Sequence, residues 1–390
     1  MTISTLSTPD HQTLTAGRWP AGFALAAMSG GVDSAVATAL AVRGGVRAVG
    51  VTMRLWSPGE GELSERARQC CGPTAYEDAR RVAARAGIAH YVVNFESAFE
   101  AAVVDYFAAE YLAGRTPNPC VACNNLVKFG ALLDFARALG AQTMVTGHYV
   151  QIASDEDGPH LRRAVDRTKD QSYMLAGLRR DQLASIVAPL GAYTKEATRA
   201  MARELDLCVA EKPDSMDLCF VDSDYRGFIL RRHPDAAAPG PIRTLDGREV
   251  GTHDGLIAYT VGQRKGIPTA GLGDGPWYVV RTERDENAVV IGRREDLARR
   301  SVLCSQPNVI QAGAFASGAA TGLAVCRYRS APIAATARLL SDDRMLVHLE
   351  APVSIVTPGQ LLVLYDATNA EVLASGIIEP DDATELAAAS

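Results

Sequence analysis

Short β-branched runs alternate with Ala-rich stretches through the first half of the chain. Phe23 to Met28 is an apolar run that stops at Ser29-Gly30-Gly31, and Val32 to Val42, rich in Ala and Val, predicts a helix. Val46 to Met53 and His90 to Phe95 predict strands; Ala75 to Ala86 and Ala98 to Leu112 predict helices. Glu77 and Asp78 lie near the start of the first of these helices and Arg80, Arg81 and Arg85 further on, as the helix dipole favours. Asn125 to Leu139 predicts another helix and Thr143 to Gly147 another strand. This order predicts a parallel sheet with helices on both faces.

The pattern changes after about Phe220. Turn pairs such as Asp246-Gly247, Asp254-Gly255 and Asp274-Gly275 become frequent, and Val221 to Gly292 predicts a small mixed domain. Beyond Ser301 short strands recur without helices between them: Gly322 to Arg327, Ile333 to Leu340, Arg344 to Leu349, Gln360 to Leu364 and Glu371 to Ile378. A small antiparallel barrel is the natural reading. The expected domains are 1–220, 221–296 and 297–380, with a disordered tail at the N-terminus and a frayed end at Asp381 to Ser390.

A length of 390 residues exceeds what one hydrophobic core usually serves, in keeping with several domains. No stretch approaches the roughly 20 apolar residues that span a bilayer, so no membrane role is expected. Met1 to Pro20 is rich in Ser and Thr and lacks the apolar core of a secretory signal. A net charge of −6 argues against a protein that coats nucleic acid non-specifically, though a local basic groove stays open. Eight cysteines without a secretory signal predict a cytoplasmic chain with reduced thiols, where clustered cysteines point to catalysis or metal.

Two features carry the chemistry. The first is Ser29-Gly30-Gly31-Val32-Asp33-Ser34 between a strand and a helix. Glycines let the backbone approach an anion, helix-start N–H groups point at it, and Ser29 and Ser34 add hydroxyls. The Walker lysine is absent. This hexapeptide resembles the SGGxDS fingerprint of the PP-loop ATP pyrophosphatases, which release pyrophosphate and adenylate an oxygen of the substrate. The resemblance implies an adenine nucleotide alpha hydrolase-like α/β fold. It also implies ATP contacts from Ala27, Met28, Ser29, Gly30, Gly31, Val32, Asp33 and Ser34, with Asp33 near the polyphosphate and helping to hold Mg2+. Met53, ending the second strand, either lines the adenine pocket or fills core. A side chain at Gly147 would crowd a bound adenine, and His148 either touches nucleotide or substrate or is a structural histidine.

The second feature is Asn118-Pro119-Cys120-Val121-Ala122-Cys123 ahead of a predicted helix, where the dipole lowers a thiol's pKa. A third thiol, Cys219, lies in Asp214 to Phe220 (DSMDLCF). With Cys70-Cys71, GRTPNPCVACN at Gly114 to Asn124, VTGHYV at Val145 to Val150, KDQSY from Lys169, TVGQRKG at Thr260 to Gly266, RYR at Arg327 to Arg329 and TPGQ at Thr357 to Gln360, the chain resembles the tRNA-specific 2-thiouridylases, which place sulfur on C2 of the wobble uridine. The resemblance implies that Cys123 is the nucleophile and Cys219 the persulfide carrier. ATP adenylates the uracil C2 oxygen, sulfur replaces it, and a Cys123–Cys219 disulfide results. It implies tRNA contacts, in the anticodon region, from Asn118, Pro119, Cys120, Lys169, Asp170, Gln171, Arg327 and Tyr328. It also implies a sulfur-donor protein such as a cysteine desulfurase or sulfur relay.

Some family members carry aspartate where Cys120 stands, so Cys120, Cys123 and Cys219 are alternatively three ligands of an iron–sulfur cluster, or of zinc. Cys70 and Cys71 read as structural, and Cys208, Cys304 and Cys326 as core. Arg162-Arg163, Arg167 to Lys169, Arg179-Arg180 and Arg264-Lys265 are the basic clusters, with Arg179-Arg180 read as a solvated face. Two competing readings are a PP-loop synthetase that adenylates a small carboxylate and an RNA-binding protein keeping a relic loop. The first has no need of three thiols, and the intact loop with Cys123 and Cys219 opposes the second.

Overall fold

The computed structural model describes residues 23–56, 72–214, 218–221, 224–268, 272–273, 275–354 and 356–380. Cys70, Cys71 and both terminal tails lie outside them. The chain divides into two compact units, residues 1–104 with 120–223, and residues 105–119 with 224–390.

In the first unit, strands β1 (Phe23–Ala27), β2 (Arg47–Arg54), β3 (His90–Asn94), β4 (Thr143–Val145) and β7 (Ile186–Val187) form a parallel sheet in the order β3-β2-β1-β4-β7. Ala24, Leu25 and Ala26 of the central strand are fully buried, as a sheet covered on both faces requires. Helix α1 (Val32–Arg43) follows β1, and small side chains (Ala35, Ala37, Ala39 and Ala41) let it sink into the core beside Val36 and Leu40. The chain runs outward from β1 through β2 to β3, and the other way from β4 to β7. The order therefore reverses between β1 and β4. Such a switch point opens a crevice at the strands' carboxyl ends, where the glycine loop and Gly147 stand.

The sequence pattern left several elements here unread or misplaced. Val150–Asp155 (β5) and Gly158–Arg163 (β6) form an antiparallel hairpin. The helix expected over 125–139 starts earlier and is built in three registers: an α-turn at Pro119–Ala122, a π-helix at Cys123–Ala131 and an α-helix at Leu132–Ala138. Gln182 Nε2 donates to the carbonyls of Asn125 at 3.3 Å and Phe129 at 2.7 Å, partnering backbone in the widened turn.

The second unit holds a four-stranded sheet of β8 (Gly240–Thr244), β9 (Glu249–His253), β10 (Tyr278–Glu283) and β11 (Ala288–Gly292). Its order is β10-β11-β8-β9, parallel between β11 and β8 and antiparallel elsewhere. It is the expected mixed sheet. Strands β12 (Arg299–Val309), β13 (Ala320–Val325), β14 (Ile333–Leu339), β15 (Arg344–Val353), β16 (Leu361–Tyr365) and β17 (Val372–Ile378) close the expected barrel. Strand β12, which the sequence pattern did not reveal, pairs with both β15 and β17 and so supplies the closure. Cys304 and Cys326 are buried in the barrel core as expected. Cys208 is not core: it is exposed between buried Leu207 and Val209, on the outward side of an alternating segment.

Candidate functional site

The glycine loop turns at Gly30, a position only glycine fits. Gly30 has φ +71°, and a Cβ there would stand 2.2 Å from the Ala75 carbonyl oxygen. Gly31, extended at φ −100° and ψ 163°, caps α1 without a side chain, and the first helical bond runs from Ala35 N–H to the Gly31 carbonyl at 3.2 Å. The amides of Gly31 to Ser34 therefore precede the helical ladder, an arrangement that suits an anion. The Ser29 N–H donates to Ser34 Oγ at 3.1 Å, and Ser34 Oγ donates to the Gly31 carbonyl at 3.1 Å. Met28 and Val32 are buried beneath the loop, Ser29 is exposed, and Ala27 and Met53 are half-buried at the carboxyl ends of β1 and β2. Gly147 is required by its close approach to the loop. A Cβ there would lie 2.6 Å from Ser34 N and 2.7 Å from the Asp33 carbonyl carbon, striking the loop itself.

Asp33 is the focus of a charge network that the sequence reading missed. Lys195 Nζ bonds its two carboxylate oxygens at 2.7 and 2.8 Å, and the Tyr149 hydroxyl donates to Oδ1 at 2.9 Å. The expected Mg2+ would therefore compete with Lys195 for Asp33. Asp214, five residues before Cys219, accepts Lys169 and Lys195 at 2.8 Å and Arg199 at 2.9 Å. Burial alone would raise its carboxyl, but Lys169 and Lys195 outweigh that and hold it down at about 2. Lys212 Nζ bonds the Gly30 carbonyl at 2.9 Å and Asp78 at 2.8 Å, pinning the loop to helix α2 (Pro73–Arg85). One local signal pointed to Lys195. It opens the helix α3 (Lys195–Glu204), where a cation opposes the dipole and needs another reason to be there.

His148 turns inward. Its Nδ1 is 2.6 Å from Thr146 Oγ1, and its ring is tilted 5.5 Å from Phe129. Burial, helped by the Lys128 ammonium, pushes its pKa down to about 3, so the ring is neutral at pH 7. An unfolded histidine near 6.5 binds a proton that the folded one refuses, so stability falls as pH drops from about 6.5 towards 3. The slope is at most about 1.4 kcal/mol per pH unit. Thermal unfolding between pH 7 and pH 5 is expected to show this decline, and His148→Gln to flatten it; an equally steep decline in the variant would assign it elsewhere.

The thiols depart from the expected electrostatics. Cys120 is exposed in the first helical turn, whereas Cys123 is buried at the head of the π-helix, past the helix start. Burial pushes the Cys123 thiol up from its ordinary value, with Lys128 opposing and Cys120 adding to the rise. The Cys120 thiol is raised as well, by desolvation from the groups around it, again opposed by Lys128. Desolvation thus overrides the lowering expected from the helix dipole. Cys219 is half-buried beside Phe220, whose ring meets Phe99 edge-on at 5.6 Å. Among the described residues no three Cys, His, Asp or Glu side chains converge as metal ligands.

The residues expected at tRNA lie apart in the chain and in role. Asp170 is buried and accepts the Ala164 N–H at 2.9 Å and Ser172 Oγ at 2.8 Å, holding its loop together. Gln171 accepts the Tyr149 N–H at 2.9 Å, and Lys169 is paired with Asp214. Asn118 and Pro119 belong to the second unit and Cys120 to the first. In the second unit Gln360 Nε2 donates to the carbonyls of Thr116 at 2.8 Å and Pro117 at 3.1 Å, which fixes the approach to Asn118. Arg327 and Arg329 are exposed just beyond β13, with the Arg329 guanidinium 5.1 Å over the Tyr328 ring. Arg179 is exposed and bonds Asp181 at 3.0 Å.

Three family models match consecutive parts of the chain: a tRNA methyl transferase HUP domain over residues 24–223, a tRNA methyl transferase PRC-barrel domain over 226–293 and an aminomethyltransferase beta-barrel domain over 304–378. The tRNA-specific 2-thiouridylase MnmA of Pelotomaculum thermopropionicum is 45% identical over 343 residues, 87% of this chain and 93% of its own length. That of Chloroflexus aurantiacus is 45% identical over 91% of this chain and 97% of its own. That of Carboxydothermus hydrogenoformans is 43% identical over 91% and 97%.

Proposed function

The chain belongs to the tRNA-specific 2-thiouridylase family, and from that premise we propose that it uses ATP to place sulfur on C2 of the wobble uridine of tRNA. The carrying observation is near full-length identity of 45% to enzymes of that name. The unit with the glycine loop also contains Cys123 and Cys219. The family models speak of methyl transfer, but a polyphosphate cradle and two thiols suit thiolation.

ATP supplies the adenylyl group: the C2 oxygen bonds the α-phosphorus, pyrophosphate leaves, and uracil N3 gives up its proton. The loop amides hold the polyphosphate while this bond breaks. The outer sulfur of a persulfide on Cys219 then attacks C2, and AMP departs with the former C2 oxygen. Cys123 attacks the Cys219 sulfur while its thiol proton passes to uracil N3, which frees the thiocarbonyl and leaves a Cys123–Cys219 disulfide. In the other order Cys123 first frees the sulfur as hydrosulfide, with the same disulfide as result. A thiol reductant returns two electrons before the next turnover. Mg2+ accompanies the ATP, and a sulfur-donor protein of the cysteine desulfurase or relay type reloads Cys219. Asn118 to Cys120, Lys169 to Gln171, and Arg327 with Tyr328 contact the tRNA, whose anticodon base must leave its stack to react. These partners suit a cytoplasmic enzyme.

The test is complementation of a bacterial strain lacking its own 2-thiouridylase, followed by mass spectrometry of digested tRNA. Restored 2-thiouridine at the wobble position is expected. Its absence despite soluble expression would sink the assignment.

A further inference from the structure

Around the glycine loop four cations (Lys169, Lys195, Arg199 and Lys212) meet three carboxylates (Asp33, Asp78 and Asp214). Lys195 is the one whose position its own helix does not favour. It is the first residue of α3, at the positive end of the helix dipole, and its side chain is only 12% exposed. Holding a cation there is costly unless anions surround it. Three carboxylate oxygens do so: both of Asp33, at 2.7 and 2.8 Å, and Oδ1 of Asp214 at 2.8 Å. Asp33 is the second residue of α1, in the same turn as the amides of Gly31 and Val32 that precede the helical ladder. The ammonium therefore stands within a side chain's reach of any polyphosphate seated on those amides, already stripped of most of its water.

We propose that Lys195 is a ligand of the ATP polyphosphate, held charged and in place by Asp33 and Asp214 until phosphate oxygens take over from Asp33; this rests on the ATP-dependent reading above. Rotation of its four-carbon stem moves the ammonium from carboxylate to phosphate, an exchange of one oxygen anion for another. Asp33 keeps the Tyr149 hydroxyl at 2.9 Å, and Asp214 keeps Lys169 and Arg199. Lys212 differs in kind. It bonds a backbone carbonyl of the loop and so anchors the loop's shape.

The test compares binding of the non-hydrolysable analogue α,β-methylene-ATP, with Mg2+, and of AMP to the full chain and to Lys195→Met, by calorimetry without tRNA. Loss of one charge-assisted contact to phosphate predicts analogue binding weakened about 10- to 100-fold. AMP, which lacks the β- and γ-phosphates, is expected to change less than about 2-fold. Lys195→Arg, which keeps the charge, is expected to recover part of the loss and serves in place of the methionine variant should that not fold. Equal weakening of both ligands, or no change in either, overturns the proposal. Absence of analogue binding by the unaltered chain would overturn the ATP reading itself, and the role of Lys195 with it.

Discussion

Cys219→Ala is expected to abolish 2-thiouridine in tRNA while leaving ATP binding at its original strength. Cys219 is half-buried next to Phe220, which is anchored edge-on against Phe99, so removal of one sulfur leaves the packing of that segment in place. Asp214 and its three cations sit five residues upstream and are untouched. The loss therefore falls on chemistry alone, on the order of 10⁴-fold or more, as when an essential nucleophile is removed. Cys123→Ser separates the two thiols. Persulfide should still load on Cys219, visible as a mass increase of one sulfur, yet turnover should stop because no disulfide can close. Tandem mass spectrometry of digested tRNA reads the product, and calorimetry reads the nucleotide. Wild-type thiolation in Cys219→Ala would remove the persulfide role from this residue.

Gly30→Ala is expected to destabilise the first unit strongly and to cost it ATP binding. Its φ of +71° costs an L-residue roughly 1–2 kcal/mol. The added carbon would stand 2.2 Å from the Ala75 carbonyl oxygen, 2.9 Å from the carbonyl carbon and 2.9 Å from the Ala75 Cα. Backbone cannot yield as a flexible side chain does, so a further cost of about 1–3 kcal/mol follows. The melting temperature should fall by roughly 5–15 °C, and ATP binding should be lost as the loop is pushed off helix α2. Gly45→Ala is the control: its φ is +86° but nothing lies within 4 Å, so only the conformational cost applies. Equal destabilisation by the two variants would show that contact with Ala75 contributes nothing.

The alternation of strands and helices, the mixed sheet and the barrel were legible because each depends on short-range periodicity. Strand β12 was not, since its polar and apolar residues acquire meaning only when it pairs with β15 and β17. The hairpin of β5 and β6 escaped for the same reason. At the site, the loop residues could be read one by one, yet the close neighbours of Gly147 could not. They are the backbone of Asp33 and Ser34, more than a hundred residues away, which only the adjacency of β1 and β4 reveals.

What the amino-acid sequence determined by itself is the glycine loop and the identity of its thiols. A left-handed glycine, a helix start and a sulfur nucleophile are properties of a residue and its immediate neighbours. What only the tertiary structure decided is the state of those groups. Lys195 meets Asp33 across 162 residues, Asp214 collects three cations, and burial raises the Cys123 thiol that its helix was expected to lower. Charge and desolvation act through space, so they follow from which groups the fold brings together and how much water it removes.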